Sequence, residues 1–326
     1  MIISRTPLRM SLVGGGSDLP AFYSRQRGAV LSTAIDKYVY VTVNKKFDDG
    51  VRIAYSKNEE VGSVDQIEHR LVRSTMEYLG MHGGIEITTI ADIPSKGTGL
   101  GSSSSFTVGL LHALNAFQGR YVSAERLGAD ACTIEIDLCG EPIGKQDQYA
   151  AAFGGFNLIE FLPDQTVMVE PVICLPETMA ELRRNILVLY TGITRSASAL
   201  LAEQSAAMAS IEGKNQTIAA MVRLAYVLRE ELQNNNPGVV GEILHENWLL
   251  KKSITCGIST PTIDAWYDAA RKAGAIGGKI LGAGAGGFLM FYAPPERHDG
   301  IKAALSELRH IPISFEPLGS RIIFYQ

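Results

Sequence analysis

A run of glycines and serines at residues 97–105 has the residue types and spacing of a phosphate-binding loop. Gly97, Gly99 and Gly101 alternate with other residues, and four serines follow at 102–105. Glycines keep side chains away from an approaching anion, and a helix that begins at the serines directs N–H donors and its dipole at that anion. No Gly-Lys-Ser/Thr closes the run, so it is not a Walker A loop. Taken alone, such a run is more often an ordinary helix cap. Other motifs in the chain are needed to distinguish a phosphate-binding loop from such a cap.

A second glycine run, 14–16, carries the chain out of an apolar segment and delivers Asp18. Asp18 suits hydrogen bonding to the hydroxyls of a small molecule. It equally suits the N-cap of a short helix at 19–25, because Pro20 would then occupy the first turn. Arg9 precedes the glycines by five residues and would place a positive charge beside the same turn.

Asp147, in the segment Gly-Lys-Gln-Asp-Gln-Tyr, is the candidate general base. Phosphoryl transfer to a hydroxyl requires a carboxylate near the nucleophile and positive charge around the transferred group. Alone, Asp147 would be a solvated helix residue. Glu135, twelve positions earlier, adds a second carboxylate.

A third glycine run lies at 278–287. Gly282, Gly284 and Gly287 satisfy the dinucleotide pattern G-x-G-x-x-G. The context is reversed, however, since an apolar strand pattern at 288–292 follows the glycines where a dinucleotide site has a helix. The run is therefore not read as a dinucleotide site.

Residues 190–198 place Gly192, Arg195 and several hydroxyl side chains between a strand pattern and a helical one. The segment is either a helix cap with a surface arginine or a second anion site for a phosphate carried by the substrate.

The secondary structure that must position these residues differs between the two halves of the chain. The first half is rich in strand patterns and the second in helical ones. We expect a boundary near residue 180, with an N-terminal domain at 1–180 that binds nucleotide and substrate and a C-terminal domain at 181–326. The predicted strands of the first half are 2–13, 30–35, 38–44, 51–55, 85–90, 156–161 and 166–172.

Bulk properties narrow the class of protein. A net charge of −4 with no dense Lys/Arg run argues against a nucleic-acid partner. We also expect no membrane partner, because no apolar run reaches spanning length and the start lacks a signal-peptide pattern. The four cysteines form no C-x-x-C pair, which fits a reducing cytoplasm.

The three glycine-containing segments, in this order, resemble the motifs of the galactokinase, homoserine kinase, mevalonate kinase and phosphomevalonate kinase (GHMP) superfamily. The resemblance implies an α+β two-domain GHMP kinase fold, with an N-terminal domain like ribosomal protein S5 domain 2 and a C-terminal ferredoxin-like domain. It also implies ATP and Mg²⁺ as cofactors, and transfer of the γ-phosphoryl group to a small-molecule alcohol.

Roles follow from the motifs and the resemblance. The resemblance implies that Asp147 would be the base and that Arg9 would stabilise its charge and that of the phosphoryl group. Asp137 stays an alternative to Glu135 at the magnesium, and Lys279 is either structural or directed at a substrate phosphate. The expected ATP-binding residues are Lys96, Gly97, Gly99, Leu100, Gly101, Ser102, Ser103 and Ser104; the magnesium ligands are Ser103 and Glu135; the substrate-binding residues are Gly15, Gly16, Ser17, Asp18, Gly192, Arg195, Lys279 and Gly284.

The expectation for the acceptor comes from the glycine run at 14–16. Gly15 and Gly16 stand where galactokinases carry a Glu and a His that contact galactose, which indicates a different sugar in a roomier pocket. The segment is similar to those of heptose-phosphate kinases and fucokinase-type enzymes, so we expect a sugar phosphate as partner and its anomeric hydroxyl as acceptor. A kinase for another sugar such as fucose, a non-catalytic sensor of the same fold, and a homodimer all stay open.

Overall fold

The computed structural model describes residues 1–93, 98–194, 197–210 and 212–326. Its strands form one eight-stranded and one four-stranded sheet within these ranges. The strands are β1 Ile2–Val13, β2 Gly28–Lys45, β3 Val51–Ala54, β4 Asn58–Val61, β5 Ile85–Ala91, β6 Phe156–Phe161, β7 Val167–Pro171, β8 Ile186–Tyr190, β9 Gly277–Ile280, β10 Phe288–Tyr292, β11 Arg309–His310 and β12 Arg321–Tyr325.

Eleven α-helices are seen in the same ranges, together with a π-helical turn at Thr133–Leu138. The described helices include none that is long and apolar enough to cross a membrane. The helices are α1 Pro20–Tyr23, α2 Arg70–Tyr78, α3 Ser102–Phe117, α4 Ala124–Cys132, α5 Gln146–Phe153, α6 Pro176–Asn185, α7 Ala197–Ser210, α8 Glu212–Gln233, α9 Val240–Lys252, α10 Pro261–Lys272 and α11 His298–Ala304.

The large sheet is built around β1 and β2, which pair antiparallel over most of their length. The prediction of two strands at 30–35 and 38–44 was wrong, because β2 is continuous. Its pairing with β1 shifts register between Pro7 and Leu8, and that irregularity absorbs residues 36–37 without ending the strand. A pattern of apolar residues interrupted at one point therefore marked a bulge, not a turn.

Helix α3 packs across β1 and β2 and is buried on nearly all sides. Such a helix belongs to the interior of a domain. Its first residues are the serines of the phosphate-loop pattern, so the core of the domain fixes where that loop ends.

The smaller sheet has the strand order β11-β8-β10-β9 and is antiparallel, with α9 and α10 packed near β9. The last strand, β12, leaves this region and pairs with β1 in the large sheet, where Ile2 lies opposite Tyr325. The boundary near residue 180 stays a prediction.

The glycine runs of the two halves meet backbone to backbone. A Cβ on Gly99 would lie 2.3 Å from the carbonyl oxygen of Leu281, and one on Gly282 would lie 2.4 Å from Cα of Gly99. Both glycines have a φ near +75°. Only glycine satisfies the space and the conformation together, so this contact brings the third glycine run against the phosphate loop.

Candidate active site

Arg9 and Asp147 form a two-pronged ion pair at the centre of the site. Nε of Arg9 donates to Oδ1 of Asp147 at 2.8 Å, and a terminal nitrogen donates to Oδ2 at 2.7 Å. Arg9 is buried, while the Asp147 side chain keeps about a quarter of its surface exposed. Bidentate pairs of this kind fix both position and orientation. Asp147 is thus held in one orientation with part of its carboxylate accessible.

The same arginine ties this pair to the phosphate loop. Its remaining terminal nitrogen donates to the carbonyl oxygen of Gly99 at 2.7 Å, and its backbone N–H donates to the carbonyl oxygen of Leu100 at 3.0 Å. Gly101 has a φ of +75°, and a Cβ there would lie 3.2 Å from Cγ of Arg9. The loop therefore lies directly over the ion pair.

Helix α3 begins beside this loop and directs its first turn at the site. Ser102, Ser103 and Ser104 all contribute to the lining of one cavity, together with Thr98. The helix gives this end of the cavity N–H donors and a positive dipole, which suits a polyphosphate. Two of the expected ATP-binding residues, Lys96 and Gly97, lie outside the described residues.

Asp18 also lines this cavity and is anchored by its own loop and by the Asp147 segment. Its Oδ1 accepts from the backbone N–H of Gly16 at 3.0 Å, and its Oδ2 accepts from the Gln146 side chain at 3.0 Å. Burial raises the pKa of Asp18, and the nearby charge of Asp147 raises it further. Gly144 makes this arrangement possible, because a Cβ there would lie 1.9 Å from Oδ2 of Asp18.

Glu135 is fully buried on the π-helical turn beside the first turn of α3. Ser103 donates to its Oε1 at 2.9 Å, and Gln148 donates to its Oε2 at 2.6 Å. Burial raises the pKa of Glu135 to about 7, although the hydrogen bonds from Ser104, Gln148 and Ser103 oppose that rise. Asp137, the alternative, is exposed.

These residues fit a magnesium ion bound together with nucleotide phosphates. A buried carboxylate that contacts a serine hydroxyl offers two hard oxygen ligands, and Mg²⁺ commonly takes few protein ligands and keeps several waters. Within the described residues no group of three or more His, Cys, Asp or Glu side chains is arranged to hold a metal. The phosphates and water would have to complete such a site.

Arg9, Asp147, Asp18 and the serines at 102–104 line a cavity of about 170 Å³, whereas Glu135 contacts Ser103 and is not among the lining residues. Its wall is shared by the phosphate loop, the Asp18 loop, the segment 141–147 and the second half of the chain. The lining residues are Arg9, Gly16, Asp18, Thr98, Gly99, Gly101, Ser102, Ser103, Ser104, Glu141, Ile143, Gly144, Gln146, Asp147, Leu201, Gln204, Lys251, Gly282 and Ala283.

Five of the described lining residues come from the second half and were not predicted as site residues; two of them, Lys251 and Gln204, have polar side chains. Lys251 lies in the last turn of α9 and donates to the carbonyl oxygen of Gly282 at 2.7 Å. Burial lowers its pKa to about 8. Gln204 is in α7 and is almost fully buried. Neither residue belongs to a motif, and only the contact between the halves brings them to the site. One indication of this region was present in the sequence: Gly15 and Gly16 have no side chains, which predicts a roomier pocket above them.

Other expected substrate-binding residues lie away from the cavity lining. Lys279 is buried and donates to the carbonyl oxygens of Ser11 and Leu12 at 2.8 and 3.1 Å. Ser17 donates to the carbonyl oxygen of Gly14 at 2.8 Å and supports its own turn. Gly15, Gly192 and Gly284 also do not line the cavity in the part of the chain that is described, and Arg195 lies outside that part.

Two family models match separate parts of the chain. The family model "GHMP kinases N terminal domain" matches residues 68–155, and "GHMP kinases C terminal" matches 228–310. A D-glycero-alpha-D-manno-heptose 7-phosphate kinase from Campylobacter jejuni is 30% identical over 323 residues, covering 95% of each chain. This chain belongs to the GHMP kinase family.

Two further relatives bear on the fold and the acceptor. The crystal structure of a D-glycero-D-manno-heptose 1-phosphate kinase from Bacteroides thetaiotaomicron has a TM-score of 0.82, with 27% identity and full coverage of both chains. A bifunctional fucokinase/GDP-fucose pyrophosphorylase from Arabidopsis thaliana is 26% identical over 88% of this chain and 29% of its own length. The expected family, fold class and class of enzyme, a phosphotransferase with an alcohol acceptor, are confirmed.

Proposed function

We propose that this protein is an ATP-dependent sugar 1-kinase that converts D-glycero-D-manno-heptose 7-phosphate to the 1,7-bisphosphate. The observation that carries the proposal is the Arg9–Asp147 pair at 2.7–2.8 Å, set between the phosphate loop and Asp18. A phosphate donor fits on the loop side of this pair, and an acceptor hydroxyl fits on the Asp18 side.

Asp147 accepts the proton of the acceptor hydroxyl in this mechanism. The hydroxyl oxygen bonds to the γ-phosphorus of ATP, the bond from that phosphorus to the β,γ-bridging oxygen breaks, and ADP leaves with the electron pair. Arg9 keeps the carboxylate oriented and supplies positive charge next to the phosphoryl group. The first turn of α3 stabilises the phosphate oxygens.

Ser103 and Glu135 would hold a magnesium ion at the nucleotide phosphates. That ion would supply charge neutralisation on the phosphate oxygens. The buried Glu135 carboxylate favours this role because the groups that shift its pKa, among the described residues, include no Lys or Arg, and a buried charge is costly without a cation beside it. In this role the ionised carboxylate of Glu135 would be one of the two protein ligands, next to the hydroxyl of Ser103.

The anomeric hydroxyl is the acceptor we favour. It is more acidic than an ordinary alcohol, so a single carboxylate is a chemically adequate base for it. Asp18, fixed by Gly16 and Gln146, would accept hydrogen bonds from neighbouring sugar hydroxyls and orient the ring.

The relatives support a heptose phosphate but differ in the phosphate position. The C. jejuni protein is named as a 7-phosphate kinase and the B. thetaiotaomicron structure as a 1-phosphate kinase. Phosphorylation at C1 requires a free anomeric hydroxyl, and therefore a sugar whose own phosphate is at the far end. The product would serve the synthesis of GDP-activated heptose for surface polysaccharide. Because ATP supplies the phosphoryl group, we place the activity in the cytoplasm.

A substrate panel tests the proposal. ADP release from Mg-ATP would be measured with D-glycero-D-manno-heptose 7-phosphate, sedoheptulose 7-phosphate, mannose 6-phosphate, fucose and galactose, with the Asp147→Asn variant as blank. We expect the strong, variant-sensitive signal with the heptose phosphate. A dominant signal with fucose would assign the chain to another sugar, and silence with nucleotide still bound would favour a sensor.

A further inference from the structure

Four buried polar side chains surround the glycine turn at 14–16. Ser11 Oγ, Gln204 Nε2 and Asn247 Nδ2 have no hydrogen-bond partner within the part of the chain that the structure describes. Lys251 Nζ has one acceptor there, the carbonyl oxygen of Gly282. All four side chains are more than nine-tenths buried. Buried donors are almost always hydrogen-bonded in proteins, so several without partners around one turn indicate a ligand.

These side chains come from three separate elements and meet at the turn. A Cβ on Gly15 would lie 3.7 Å from both Lys251 Nζ and Ser11 Oγ, and one on Gly16 would lie 2.2 Å from Gln204 Nε2. Asn247 Oδ1 accepts from the N–H of Gly14 at 3.3 Å, which leaves the amide nitrogen of Asn247 as a donor.

The glycine turn has no side chains, and Gln204 and Lys251 from the second half of the chain partly fill the space above it. Gln204 and Lys251 both belong to residues that line the cavity, and Gln204 Nε2 is a buried donor at its edge. Arg9, the other cation in the described lining, already donates from three nitrogens to Asp147 and Gly99. Lys251 is therefore the cation whose donors are mostly uncommitted.

Because the cluster offers two amide N–H₂ groups, a hydroxyl and an ammonium, it matches the oxygens of a phosphate group. It lies on the acceptor side, since Gln204 Nε2 is 2.2 Å from the Cβ position of Gly16, and the backbone N–H of Gly16 donates to Asp18 at 3.0 Å. The phosphate loop and Arg9, in contrast, serve the nucleotide side.

We propose that Ser11, Gln204, Asn247 and Lys251 form the subsite for the phosphate that the acceptor sugar already carries, with Lys251 as its charge partner. The proposal rests on the proposed function, because it assigns one end of the same acceptor. It makes Lys251 a specificity-determining residue, which selects sugar phosphates over free sugars.

Kinetics of the Lys251→Met variant test this assignment. We would compare kcat/KM for D-glycero-D-manno-heptose 7-phosphate with that for the unphosphorylated heptose. Loss of a hydrogen bond to a charged group should reduce the preference for the phosphorylated sugar by about 10- to 150-fold. The effect should be in KM for the sugar phosphate, with KM for ATP unchanged. Lys252→Met is the matched control, because Lys252 is adjacent on α9 and pairs with Asp264 at 2.9 Å.

Two kinetic results would overturn the proposal. If Lys251→Met lowers kcat equally for both sugars, Lys251 acts on the transferred phosphoryl group. If Arg195→Ala abolishes the preference and Lys251→Met does not, the anion site is at residues 190–198. The Gln204→Leu variant provides a second route should Lys251→Met fail to fold, and it should reduce the same preference by a smaller factor.

A binding measurement separates this proposal from the proposed function. Calorimetry with inorganic phosphate as the probe requires no knowledge of the sugar. The wild-type protein should bind phosphate, and Lys251→Met should lose that binding while Lys252→Met keeps it. If heptose 7-phosphate is not a substrate but phosphate binding still depends on Lys251, only the sugar assignment fails. If binding is equal in the wild type and Lys251→Met, the subsite is wrong.

Discussion

Arg9 donates hydrogen bonds to both carboxylate oxygens of Asp147, although the two residues are 138 positions apart in the chain. The contact joins the strand β1 to the first turn of α5, and both elements belong to the core that α3 covers. The orientation of the candidate base is therefore set by the domain and not by the substrate. Preorganisation of this kind reduces the rearrangement needed when the acceptor binds.

Asp147→Asn should lose turnover while it retains nucleotide binding. The amide cannot accept the proton of the acceptor hydroxyl, and it also breaks one of the two charge-assisted bonds to Arg9. We expect kcat to fall by about 10²- to 10⁴-fold, as measured by ADP release with saturating acceptor. Near-normal kcat in this variant would show that Asp147 is not the base.

Gly144→Ala should weaken acceptor binding through Asp18. The new methyl group would lie 1.9 Å from Oδ2 of Asp18, so the carboxylate must move from its contacts with Gln146 and Gly16. We expect KM for the acceptor to rise by more than about tenfold, with KM for ATP unchanged. Gly300→Ala is the control, because the nearest atom to its Cβ is 3.8 Å away. Equal KM values in both variants would contradict the role of Asp18.

The segments with local signals were predicted well, and those that depend on distant contacts were not. The phosphate loop and α3 were expected from alternating glycines followed by an apolar periodic run, and α3 begins at Ser102. Lys251 and Gln204 carry no local pattern, since their place in the cavity depends on how the two halves pack. Lys279 has a motif position, yet its ammonium binds the backbone of β1. Sequence patterns do not report which way such a side chain points.

Magnesium affinity should depend on pH through Glu135. Burial raises the pKa of this carboxyl to about 7, and the metal binds the ionised form. Below pH 7 the proton competes with the metal, so affinity should fall by about tenfold per pH unit and level off above pH 7. Magnesium titrations at pH 6 and pH 8 with saturating nucleotide would measure this difference.

The controls for that titration are Glu135→Gln and Asp137→Asn. Glu135→Gln should bind magnesium weakly at both pH values, whereas Asp137→Asn should behave like the wild type because Asp137 is exposed. The raised pKa also means that ionisation of Glu135 destabilises the metal-free fold. The free energy of unfolding of the wild type should therefore fall as the pH rises from about 4.5 to 7. In Glu135→Gln it should fall less. An unchanged magnesium requirement in Glu135→Gln would remove Glu135 from the site.

Binding of the sugar phosphate should weaken above pH 8. Burial lowers the pKa of Lys251 to about 8, and the positive charge of Arg9 lowers it further. The negative charges of Asp18 and Asp147 act in the opposite direction and raise this pKa. Lys279 is a further cation whose pKa is lowered, first by burial and then by Lys251. The substrate phosphate is already a dianion at this pH. Loss of the Lys251 proton should therefore raise KM for the sugar phosphate between pH 8 and 9.5.

The Lys251→Met variant is the reference for this profile. Its KM should be high and flat between pH 7 and 9.5, because no titrating ammonium remains at the subsite. The Lys252→Met control should reproduce the wild-type rise. If Lys251→Met shows the same rise as the wild type, another group titrates, and Lys251 does not bind the phosphate.

The site of phosphorylation is the most direct test of the account. The product formed from Mg-ATP and D-glycero-D-manno-heptose 7-phosphate would be examined by ³¹P NMR with coupling to the sugar protons. We predict a new phosphorus signal coupled to the anomeric proton, in a one-to-one ratio with ADP and absent with Asp147→Asn. A new phosphate coupled to any other sugar proton, or ADP without a new sugar phosphate, would contradict the proposed sugar 1-kinase.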